Sequence, residues 1–76
     1  MVDIGKDFYE EKIENDFQFM RYLQTDVGKI QGIRETFADD WELEELTRSI
    51  IFAEVEIIQM LKGGIENGRE DLKKLG

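Results

Sequence analysis

Apolar residues return along the first half of the chain at three- and four-residue steps, as Tyr9, Ile13, Phe17, Met20, Leu23, Val27, Ile30, Ile33 and Phe37. At 100° per residue these keep to one side of a cylinder, with Glu10, Glu14 and Arg21 on the other, which is the signature of an amphipathic helix. The stripe crosses Gly28 and Gly32 without losing phase. One long helix over 7–36 is predicted, opened by Asp7 as cap with Glu10 three residues on, and a bend near Thr25 to Gly28 is the fallback. The aromatics between Asn15 and Leu23 would suit a strand taken alone, but the period around them is helical.

Thr36-Phe37-Ala38-Asp39-Asp40 reads as a boundary, because Thr and Asp supply caps and acids suit the positive end of a new helix. A second helix over 39–62 follows. Its first seam, Leu43, Leu46, Ile50, Ala53, Ile57 and Met60, is spaced as heptad a and d positions are. Beside it runs a second line of Ile51, Ile58, Leu61 and Ile65, and Trp41, Phe52 and Val55 widen the apolar arc further. Gly63-Gly64 is expected to end this helix, leaving a short amphipathic helix over 65–75 with Leu72 and Leu75 on one edge. The fold class expected is all-α, an antiparallel hairpin of two long helices plus a short C-terminal helix in a single domain over 1–76.

A lone hairpin buries one stripe of each helix, and the second helix offers more than one stripe. Leaving the surplus in water would expose a contiguous apolar patch, so a cover is expected. The economical cover is a second copy, giving a four-helix bundle, because closed two-fold dimers are the commonest oligomers. The expected interface is Leu43, Leu46, Ile50, Ile51, Ala53, Glu54, Ile57, Ile58 and Leu61. A different protein could supply the same cover, and a single chain that already shields Ile51, Ile58 and Leu61 internally would overturn the dimer.

Composition narrows the chemistry. The chain has 76 residues, with 18 acids against 10 bases, no histidine and no cysteine, and a formal charge of −8. A chain this short buries only about 60–65% of the surface its unfolded form exposes. Direct binding of nucleic acid or anionic lipid would bring like charges together, so neither is an expected partner. Without His and Cys there is no Ser/His/Asp or Cys/His constellation and no thiolate nucleophile. No apolar stretch is long enough to cross a membrane, and the start Met1-Val2-Asp3-Ile4-Gly5-Lys6-Asp7 lacks a basic and then apolar leader, so a cytoplasmic protein is expected. Residues 38 to 62 carry seven acids and two bases, making the second helix the most acidic segment as well as the most apolar.

Within that frame Glu54 stands out, a carboxylate amid Ile50, Ile51, Ile57 and Ile58 that has to be paired or neutralised. Pairing with Arg21, Arg34 or Lys29 of the first helix is expected, with a ligand contact or a role in pairing register as the alternatives. Trp41, at the start of the second helix, is expected to pack under the adjoining loop. Gly28-Lys29-Ile30-Gln31-Gly32 spells GxxxG, but no apolar span surrounds it and no GK[ST] follows either glycine stretch.

Glu10-Glu11-Lys12-Ile13-Glu14 has the form EExxE, and Glu42 and Glu45 supply further acids downstream. In this the chain resembles the all-α nucleoside triphosphate pyrophosphohydrolases of the MazG type over about a third of its length. That resemblance implies magnesium held between bundle helices by carboxylate oxygens, which suit a hard cation. Where that family carries an aspartate after Glu45, this chain has Arg48. The function expected first is therefore a small, acidic, non-catalytic interaction or regulatory protein acting as a homo-oligomer, with no cofactor or metal. An acidic inhibitor that occludes a basic nucleic-acid-binding protein is the alternative, and the magnesium-dependent hydrolase the second alternative.

Overall fold

The computed structural model describes residues 4–75, with side chains from residue 6 onward. Two helices account for nearly all of it, α1 over Ile4–Thr36 and α2 over Trp41–Leu75. They lie antiparallel along their whole length in a rod with extents of 60 × 14 × 12 Å. The expected hairpin is present.

α1 begins upstream of the predicted start, so Asp7 sits in its first turn rather than capping it. No break occurs near Thr25 to Gly28. Thr25 returns its hydroxyl to the Arg21 carbonyl at 3.1 Å, and the i to i−4 ladder passes straight through the glycine. At the turn the Phe37 amide donates to the Ile33 carbonyl and the Asp40 amide to the Phe37 carbonyl, both at 3.0 Å. Asp40 then caps α2, its Oδ1 accepting from the Leu43 amide at 3.2 Å and its carbonyl from the Glu44 amide at 2.8 Å. The boundary read from Thr and Asp is therefore real, with Asp40 as its working residue.

The predicted stop at Gly63-Gly64 and the separate helix over 65–75 are not what forms. α2 continues through both glycines to Leu75, and no glycine among the described residues takes a positive φ. Each helical glycine costs about 1 kcal/mol relative to alanine. Packing of the following turns outweighs that: Ile65 is 4% exposed, and Gly68 lies so close to α1 that a Cβ there would stand 3.0 Å from Ile13 Cγ1.

In both helices the line facing the partner steps by three and four residues. On α1 it runs Tyr9, Ile13, Asp16, Met20, Leu23, Val27, Ile30 and Arg34; on α2 it runs Glu44, Thr47, Ile51, Glu54, Ile58, Leu61, Ile65, Gly68 and Leu72. All are buried or half-buried. Such a 3.5-residue repeat is the inner a and d pattern of a coiled coil. The register is pinned by Arg34 on Glu44 near the loop and Ile13 on Gly68 near the open end. The core is thin. Among the described residues only Leu23, Thr47 and Ile65 are buried outright.

Candidate functional site

The inner line of α2 is not the first seam that the sequence offers but the line one residue further on. Ile51, Ile58, Leu61 and Glu54 pack half-buried toward α1 within the chain. Leu46, Ala53 and Met60 face outward, and Leu43, Ile50 and Ile57 flank the inner line. Leu46 is 57% exposed and Met60 75%. Apolar surface remains outside, but Ile51, Glu54, Ile58 and Leu61, expected between copies, face α1 within the chain instead, so the part of the dimer expectation that rested on them falls.

In an antiparallel pair the residues that precede each a position share one flank, and those that follow each d position share the other. On the first flank α1 presents Phe19, Asp26 and Ile33, and α2 presents Leu43, Ile50 and Ile57. Tyr22 stands outside them on α1, and Leu46, Ala53 and Met60 on α2. From Phe19 to Ile33 and from Leu43 to Met60, the only charges on this face are Asp26 and Lys29. Over the same span the second flank carries Arg21, Glu45 and Arg48, and over its whole length it is the more charged of the two. It carries Glu10, Glu14, Arg21 and Glu35 on α1 and Glu45, Arg48, Lys62, Glu66, Arg69 and Lys73 on α2, with Phe52, Val55 and Trp41 as its large exposed apolar groups.

A shallow groove near the loop opens on the charged flank, between Gln31, Arg34 and Glu35 of α1 and Trp41, Glu44 and Arg48 of α2. Glu44 Oε1 is its anchor, accepting from Arg34 Nε at 3.1 Å, Arg34 Nη2 at 2.7 Å and Arg48 Nη2 at 2.7 Å. Hydrogen bonds from Arg34, then Arg48, hold the Glu44 carboxyl below its ordinary range. Trp41 does not pack under the loop but stands 70% exposed at the rim of this groove, which Ala38 of the turn also lines.

Glu54 finds none of the cations expected for it. Arg34 is engaged by Glu44, Arg21 lies with its guanidinium 6.0 Å from the Phe17 ring centroid, and Lys29 is on an exposed outer position. What meets Glu54 is Asp26, a second carboxyl, and Glu54 Oε2 is shielded from water without a hydrogen-bond partner. The contact with Asp26, then withdrawal from water, then the Asp26 charge push the Glu54 carboxyl above its ordinary range. A sequence signal for this existed in the seven-residue line Phe19, Asp26, Ile33, where an acid replaces an apolar residue.

The two halves of the EExxE resemblance do not meet within one chain. Glu10, Glu11 and Glu14 lie near the open end of the hairpin and Glu42 and Glu45 beside the loop, separated along the rod by on the order of 35 Å at 1.5 Å per residue. Among the described residues no group of three acids converges as metal ligands would, and no helix is long and apolar enough to cross a membrane.

The chain exposes 5964 Å², above the about 4800 Å² that mass scaling gives for a compact monomer, as a thin rod of 60 × 14 × 12 Å must. Comparison with protein families, curated proteins and solved structures found no match for the chain.

Proposed function

We propose that this chain is a small acidic helical interaction protein of the cytoplasm that works as a homo-oligomer and has no catalytic role of its own. Two hairpins would stack through their apolar faces into a four-helix bundle. The observation that carries the reading is the sorting of residues between flanks, with Leu46, Ile50, Ile57 and Met60 exposed together on one side and the charges gathered on the other. Burying such side chains is worth roughly 1.5–3 kcal/mol each, and a monomer forgoes it. Sedimentation equilibrium at tens of micromolar tests this. A mass of twice 8.9 kDa is expected, and a single species of 8.9 kDa would defeat it.

A second reading concerns what the assembled bundle does. Stacking the apolar faces leaves the charged flanks and the outer Glu42, Glu56 and Glu70 facing water. An acidic exterior of that kind suits a basic partner such as the nucleic-acid groove of a DNA-binding protein. Salt-sensitive inhibition of such a protein by the purified bundle is the expected result, and inhibition unchanged by salt contradicts it.

A further inference from the structure

We draw no further inference here: the strongest candidate, the exposed apolar face that Phe19 and Ile33 of α1 form with Leu46, Ile50, Ile57 and Met60 of α2, carries none because nothing in the structure shows what covers it.

Discussion

The two flanks of the hairpin are built from adjacent positions of the same two helices, yet one holds Phe19, Ile33, Ile50 and Ile57 and the other Arg48, Lys62 and Arg69. Within a single hairpin both flanks face water, and the proposed second layer would cover only the first. An interior and an exterior flank make sense once another layer covers one of them. The same contrast recurs in miniature at the two glutamates of the inner line. Glu44 accepts from two arginines on the charged flank, whereas Glu54 meets a carboxyl on the apolar one.

The largest effect that would break this comparison comes from placing a charge on each flank in turn. Ile57→Glu is expected to weaken association at least about 100-fold, since it buries an unpaired carboxylate. Val55→Glu, two residues away on the charged flank, should leave the sedimenting mass unchanged. Next comes the contrast between inner and outer apolar lines, read by urea unfolding in the Ile57→Glu background so that only the hairpin is measured. Leu23→Ala removes a side chain that is 6% exposed and should cost about 2–3 kcal/mol. Leu46→Ala should change hairpin stability by less than about 0.5 kcal/mol.

The glutamates sharpen the comparison through pH, in the same background. Because the Glu44 carboxyl is held below its ordinary range, its contribution is present above the unfolded-state value and is lost as pH falls through the lowered folded value. Because the Glu54 carboxyl is pushed up, its contribution is present at acid pH and is lost as pH rises through the raised folded value. Urea midpoints followed from about pH 3 to pH 7 should therefore lose part of their acid-side fall in Glu44→Gln and part of their decline toward neutrality in Glu54→Gln. Matching profiles in the two variants would contradict the assignment.

The smallest effects fall on the glycines. No atom stands within 4 Å of a Cβ built at Gly63 or Gly64, so alanine at either should stabilise the hairpin by about 0.5–1 kcal/mol. Gly68→Ala should show no such gain, because Ile13 must move aside.

Much of this was legible in the chain. The α1 stripe from Tyr9 to Ile30 is inward except at Phe17, whose place on the inner line Asp16 takes, its last members Ile33 and Phe37 are exposed, and Asp40 caps where the Asp pair suggested. The end of α2 was not, since local glycine propensity argues for a stop at Gly63 and only contact with α1 argues against it. That one misreading explains the next. With α2 cut at Lys62, the line through Leu43 looks the fitter for the inside, since the line through Ile51 also holds Glu44, Thr47 and Glu54. Extended to Leu75, the first runs out into Gly64, Asn67 and Asp71, while the second continues through Ile65 and Leu72. The line that pairs is the one that still offers apolar residues beside α1 in the last turns, its polar start being met by Arg34 on Glu44, and the line that ends at Met60 is left for the outside. The Glu54 partner was missed for a related reason: without the register, Arg34 and Asp26 are both plausible neighbours, and the register gives Arg34 to Glu44.

The central claim is that one flank, contributed by both helices, is covered by another copy. Isotope-filtered nuclear Overhauser spectra on a mixture of labelled and unlabelled chains test it most directly. Contacts between copies should join the methyls of Ile50 and Ile57 to side chains of the same flank, Phe19 and Ile33 among them, while Val55 and Phe52 show none. Inter-chain contacts confined to Val55, Phe52 and Trp41, or no inter-chain contacts at concentrations where the chain is fully folded, would contradict it.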